Sequence, residues 1–170
     1  DKVILFLGNL VERKNPDVLI EALRYLPIQY KLFLVGPGSK DYLEKINQMI
    51  MDYKLEERVI KAGYVPYLEN AIAYQVSNVF VLPADFEGIP KVVIQSLACN
   101  VPVLASGFKL SKEIMGLRYL ESKDPKYIAD QILDVVSSGQ KVDLNTIYRD
   151  YSWHTKALEL EKIYEFAKNK

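Results

Sequence analysis

The sequence predicts an α/β fold, a parallel sheet of about six strands with helices on both faces. Three observations predict it. Six apolar runs of strand length occur, at 3–7, 31–35, 58–62, 79–82, 101–105 and 117–120. Segments with helical apolar spacing separate most of them. Finally, residues 79–106 read as strand, acidic loop, helix and strand in direct succession, which is a βαβ unit.

The elements follow in order. The run at 3–7 begins almost at the first residue, and it is too short for a signal peptide and lacks a small-residue cleavage site. A chain that starts inside an element is expected to be cut from something longer. After Gly8 and the basic pair Arg13-Lys14, the first helix opens at Asn15-Pro16-Asp17, with Asn15 as N-cap and Pro16 at N1. Its stripe is Val18, Leu19, Ala22, Leu23 and Leu26, and Pro27 ends it. The second run leads into Gly36-Pro37-Gly38-Ser39 and a helix to about Tyr53, with Leu43, Ile46 and Ile50 on one face. The third leads to Gly63-Tyr64-Val65 and a helix over roughly 66–76. The fourth stops at Pro83, gives way to Ala84-Asp85-Phe86-Glu87, and reaches a helix with Pro90 at N1 that runs to Cys99. Two more strands complete the sheet.

Residues 125–138 carry Ile128, Ile132, Val135 and Val136 on one face and end at Gly139. After a polar stretch, Tyr151-Ser152 opens a last helix over about 152–168, with Trp153, Ala157, Leu160, Tyr164 and Ala167 as its stripe. Neither a repeat nor a linker interrupts the chain, so 1–170 reads as one domain.

Composition narrows the function. Twenty-two basic residues balance 22 acidic ones, which removes the broad electrostatic drive toward nucleic acid or anionic membrane. No apolar run approaches the ~18 residues of a membrane span. The lone Cys99 excludes an intrachain disulfide and fits a reducing compartment. One histidine and one cysteine are too few for a zinc site of usual composition; His154 reads as a surface residue at a helix start, and Cys99 as a small buried one.

In parallel sheets, ligands bind beyond the carboxyl ends of the strands, and those loops hold the residues of interest. Lys14 stands near a helix N-terminus, where the dipole favours anions, so a bound phosphate would resolve the conflict. A solvated lysine in a turn is the plain alternative. Gly36 and Gly38 lack the spacing of a dinucleotide fingerprint or a P-loop, and a tight turn capped by Ser39 explains them as well. Glu87 precedes a helix whose first amides, at Ile89, Lys91 and Val92, point outward without partners. A carboxylate for hydroxyls beside amides for an anion suits a sugar phosphate. Glu87 as a solvated acid and Gln95 as a surface residue stay open beside that reading.

Taken together, these loops resemble the C-terminal, donor-binding half of GT-B-fold retaining glycosyltransferases, the group 1 or GT4-like enzymes with an E-x7-E signature. The resemblance covers essentially the whole chain in order: Gly8 through Leu23, Leu32 through Gly38, Gly63-Tyr64-Val65, Glu87-Gly88-Ile89-Pro90-Lys91-Val92-Val93, Ser96 through Val103, and Ser152-Trp153 with the last helix. It implies a Rossmann-like three-layer domain, one half of a GT-B enzyme, whose last helix crosses back toward an N-terminal half. It implies that Lys14 binds the donor diphosphate, with Gly8, Asn9, Arg13, Gly36 and Gly38 around it. The backbone at Val65 would read the base, Glu87 would hold donor-sugar hydroxyls, and Gln95 would hold the ribose diol. Gly88, Ile89, Pro90 and Lys91 would lie beside the diphosphate. The substrate would be a UDP-, GDP- or ADP-sugar, used without a metal ion or other cofactor. The acceptor, a glycan or lipid-linked glycan, would bind through the other half, in a cytoplasmic enzyme touching the membrane only peripherally.

Two positions depart from the pattern. Gln95 replaces the second glutamate, a loss of roughly 1 kcal/mol, within about tenfold in affinity. Asn9 stands where the family places an arginine, so Arg13 would have to substitute. Those departures are the support for a second reading, a non-catalytic nucleotide-sugar binding module. A sugar-nucleotide epimerase or a phosphorylase of the same fold is the third.

Overall fold

The computed structural model describes residues 1–168; the last two residues of the 1–170 domain reading lie outside it. Six parallel strands form one sheet: β1 (Lys2–Leu7), β2 (Tyr30–Val35), β3 (Val59–Gly63), β4 (Val79–Pro83), β5 (Val103–Ser106) and β6 (Leu117–Tyr119). Their order is β3-β2-β1-β4-β5-β6. All six expected strands are present. The central ones read as unbroken apolar runs because they are covered on both faces, and every residue of β4 is buried. Leu5 shows the register, facing Phe33 on one side and Phe80 on the other.

The described residues form seven α-helices around this sheet: α1 (Pro16–Leu23), α2 (Lys40–Asp52), α3 (Asn70–Gln75), α4 (Lys91–Ala98), α5 (Pro125–Ser138), α6 (Leu144–Tyr151) and α7 (Trp153–Lys168), the last meeting α6. Helix α1 lies against α5, and α4 against α6. Ser39 caps α2 as expected, its Oγ accepting from the Tyr42 amide, and Gly139 ends α5 in the left-handed region.

Four expectations need correction. Asn15 precedes α1 but does not cap it through its side chain, because its backbone is left-handed (φ 50, ψ 44) and its amide group turns elsewhere. Pro90 is the N-cap of α4, not N1, with an extended ψ of 110. The segment 66–76 splits into a 3-10 turn, Tyr67–Glu69, and the short α3. The polar stretch before the last helix contains α6, capped by Asp143, whose Oδ1 accepts from the Thr146 amide at 3.1 Å.

The last helix also differs from its pattern. No residue of α7 is buried, and Trp153, head of the expected stripe, is 78% exposed. No helix among the described residues is long and apolar enough to cross a membrane. Before β3, Arg58 is buried without an acidic partner among the described residues; its guanidinium donates to the carbonyls of Tyr30, Leu26 and Pro27. It ties the end of the first βαβ unit together.

The strand order reverses between β1 and β4. Loops leaving these two neighbours diverge to opposite sides and open a crevice at their carboxyl ends. Residues 8–15 and 84–90 meet there.

Candidate functional site

The crevice is built on close backbone approach. Gly8 donates to the Val35 carbonyl (2.9 Å), Leu10 to Pro37 (2.7 Å) and Gly36 to Gly63 (2.7 Å), so the loops after β1, β2 and β3 are stitched together. A Cβ on Gly36 would stand 2.0 Å from the Gly8 carbonyl oxygen, and its φ of +135 disfavours any other residue. Gly38 likewise sits on Leu10, whose carbonyl oxygen a Cβ would approach to 3.0 Å. Loop-on-loop packing accounts for both glycines without a ligand.

Lys14 passes over Gly8, where a Cβ would come within 3.1 Å of the lysine Nζ. From there Nζ reaches Glu87 Oε1 at 3.1 Å, and Arg13 Nη1 reaches the same oxygen at 3.1 Å. Arg13 Nη1 also donates to the Phe86 carbonyl (3.0 Å). The Lys14 and Glu87 side chains are largely buried, at 13% and 14% exposure, whereas Arg13 is 55% exposed. Glu87 Oε2 has no hydrogen-bond partner among the described residues. One carboxylate oxygen is therefore locked between two cations, and the other stays open to accept from a hydroxyl. Lys14 keeps donors to spare for an anion.

The acidic loop is held from three sides. Asp85 donates its amide to the Arg13 carbonyl (2.8 Å), and Glu87 donates its own to the Gly107 carbonyl (2.8 Å). Asn15 Nδ2, free of capping duty, donates to the Pro83 carbonyl (2.9 Å) and to Asp85 Oδ1 (3.0 Å). Lys123, from the loop before α5, also pairs with Asp85. Behind the loop, a Cβ on Gly107 would meet the Ala84 carbonyl oxygen at 2.7 Å. Sequence reasoning missed Asn15, Lys123 and Gly107 here; the glycine directly after β5, opposite the acidic loop, was a readable signal.

At the start of α4, the amides of Gly88, Ile89, Lys91 and Val92 have no acceptor among the described residues. A Cβ on Gly88 would meet nothing within 4 Å, so this approach is open. Lys91 is exposed and has no acidic partner among the described residues. These unpaired donors and the helix dipole favour an anion.

The other predicted residues are placed less tightly. Asn9 is exposed, with no side-chain hydrogen bond among the described residues. Val65 is half-buried against the core, and its backbone groups are without a partner among the described residues. Gln95 lies between two phenols whose approach sequence reasoning missed: Oε1 accepts from Tyr74 Oη (3.2 Å), and Nε2 donates to Tyr67 Oη (3.0 Å). A cleft of about 790 Å³ runs from Ile89, Lys91 and Gln95 past Tyr67 and Lys109 to Trp153. Cys99, at the C-cap of α4, has its thiol pushed up by burial and lies outside the site.

Comparison with known proteins adds the following. The family model for glycosyl transferases group 1 matches residues 1–152. A curated relative described as an uncharacterized glycosyltransferase of Methanocaldococcus jannaschii is 25% identical over 182 residues, covering 98% of this chain and 45% of the relative. The GDP-mannose-dependent alpha-(1-6)-phosphatidylinositol monomannoside mannosyltransferase of Mycolicibacterium smegmatis is 34% identical over 114 residues, 61% of this chain and 29% of its own. Among solved structures, Anabaena HepE in complex with UDP superposes with a TM-score of 0.83 at 18% identity, over 96% of this chain and 48% of that one. A glycosyltransferase of Rickettsia africae gives 0.83 at 20% identity, over 99% and 48%. At those identities the structures establish a shared Rossmann-like fold. The chain spans about half the length or less of the relatives it matches.

Proposed function

We propose, from the premise that this chain belongs to the group 1 glycosyl transferases, that it is the donor-binding part of an enzyme moving a sugar from a nucleotide to an acceptor. The observation that carries the reading is the Lys14–Glu87 contact at 3.1 Å, set beside the unpaired amides opening α4. In this reading Glu87 Oε2 accepts from a donor-sugar hydroxyl while Lys14 and the amides of Gly88, Ile89, Lys91 and Val92 take the diphosphate. As the glycosidic bond breaks, negative charge gathers on the leaving phosphate, and these fixed donors stabilise it without a metal ion. Lys91 is the better candidate for the cation that Asn9 does not supply, because Arg13 is already committed to Glu87 and Phe86. Gly8 and the turn at Gly36 and Gly38 shape the floor, open backbone at Val65 faces the base, and Gln95 lies toward the ribose.

Transfer proceeds with retention, as the resemblance implies, and needs a second domain to supply a glycan or lipid-linked acceptor. The lone cysteine fits a cytoplasmic setting. UDP-sugars are the first donors to test, since Anabaena HepE was solved with UDP.

The test is calorimetric titration of the chain with UDP, GDP, ADP and their sugar conjugates, beside Lys14→Ala. One nucleotide is expected to bind selectively, and the variant to bind it about ten- to a hundredfold more weakly, the range for a charged hydrogen bond. Equal binding by the variant would remove Lys14 from the site. Donor binding without transfer in a full-length protein would favour the non-catalytic module, to which Asn9 and Gln95 belong.

A further inference from the structure

We propose that Tyr67 is a further donor-binding residue, whose hydroxyl, held by the Gln95 amide, donates to a ribose hydroxyl of the nucleotide. The inference rests on the donor-site reading above and adds to it a residue and a direction of hydrogen bonding.

The two phenols beside Gln95 differ sharply. Tyr74 is 1% exposed, its ring meets Phe80 edge-on at 6.0 Å, and its Oη lies 3.2 Å from both Gln95 Oε1 and the Val92 carbonyl. It is a fixed donor inside the fold. Tyr67 sits on the 3-10 turn after β3 and is 63% exposed. Its oxygen accepts from Gln95 Nε2 at 3.0 Å. A phenol that accepts from an N–H keeps its own proton for a third group. Tyr67 lines the cleft that also borders Ile89, Lys91 and Gln95, so that proton is available to a group bound in the cleft.

The residue type at 95 decides the direction. A carboxylate only accepts, so Glu at this position would draw the protons of both phenols inward. The amide accepts from Tyr74 and donates to Tyr67. Gln95 thus passes hydroxyl recognition to Tyr67 instead of doing it weakly itself. The group recognised is an acceptor oxygen on the ribose and not on the sugar, because the open carboxylate for the sugar, Glu87, stands eight positions earlier, before α4 begins. The amides for the diphosphate lie between the two.

The experiment compares UDP, GDP and ADP with their 2′-deoxy and 3′-deoxy counterparts, titrated into the chain and into Tyr67→Phe, Gln95→Glu and the double variant. The wild type is expected to favour the ribonucleotide over one deoxy form by about two- to tenfold. Tyr67→Phe should lower ribonucleotide affinity by the same factor and leave that deoxy form unchanged, so the preference disappears. In the Gln95→Glu background, adding Tyr67→Phe should change the preference less. A preference that survives in Tyr67→Phe, or equal weakening of both forms, overturns the assignment, since a merely structural tyrosine would act on both. Binding with no ribose preference in the wild type sinks this inference alone. No nucleotide binding at all sinks the donor reading with it.

Discussion

The loop before α4 and the middle of α4 each hold a polar side chain in place, and they do so by opposite means. Glu87 is gripped by two cations over a floor where Gly36 and Gly8 touch backbone to backbone. Gln95 is neutral, flanked by one buried phenol and one open one. The first arrangement is rigid and charge-matched, which suits groups whose charge changes during a reaction. The second is neutral and hydrogen-bonded to an exposed phenol on one side. The difference teaches that the charged contacts here are set by backbone packing at the sheet's strand ends, and the neutral ones by side chains that the turn before α3 lays across α4.

The largest expected effect comes from breaking the rigid end. Gly36→Ala forces a Cβ to 2.0 Å from the Gly8 oxygen at a φ of +135, and should cost about 3 kcal/mol by urea denaturation. That corresponds to a fall in Tm of roughly 6–12 °C. A loss below about 1 kcal/mol would mean that the floor yields and the comparison is wrong. A smaller loss, about 1 kcal/mol, is expected for Tyr74→Phe, which takes the fixed donor from Gln95 Oε1 and the Val92 carbonyl. The same denaturation curve measures it, and no change would show that the neutral end does not depend on its buried phenol.

The smallest effect is in acid. Asp150, on the far wall of the cleft, is held below its ordinary 3.8 by a hydrogen bond from Arg149, then by one from Lys112. A depressed carboxyl contributes stability above its ordinary value and loses it as pH falls through and below that value. Asp150→Asn should therefore lower Tm slightly at pH 7 and converge on the wild type as pH drops from about 4 toward 2. The exposure of Arg149 and Lys112 keeps the effect small. Parallel curves across that range would show that Asp150 plays no part in acid stability.

The fold was legible because buried parallel strands write themselves as apolar runs, and all six were found within two residues of their observed starts. Helix α6 was not legible. It buries only Ile147, so no apolar stripe marks it, and its cap, Asp143 to Thr146, is a short polar signal inside a polar stretch. The α7 stripe misled in the other direction, since amphipathic spacing exists there with nothing buried. At the site, Lys14 and Glu87 were readable because they lie in the loops after β1 and β4, the two strands at the sheet's reversal point, so their meeting could be anticipated from the strand pattern. Tyr67 and Tyr74 were not, because their reach to Gln95 depends on how the 3-10 turn and α3 lie across α4. Asn15 looked like a cap because its type and place fit one. Its left-handed backbone instead spends the side chain on Asp85.

That exposed last helix has one further consequence. An isolated helix of about 16 residues is marginal in water, and α7 places none of its residues in the core, meeting the rest of the chain through α6. Its amide hydrogens should exchange with solvent through local opening, while those of β1 and β4, closed inside the sheet, wait for the whole domain to unfold. The chain thus keeps two timescales, and the hydrogen-bonded life of α7 is set by its own sequence more than by the stability of the fold it is attached to.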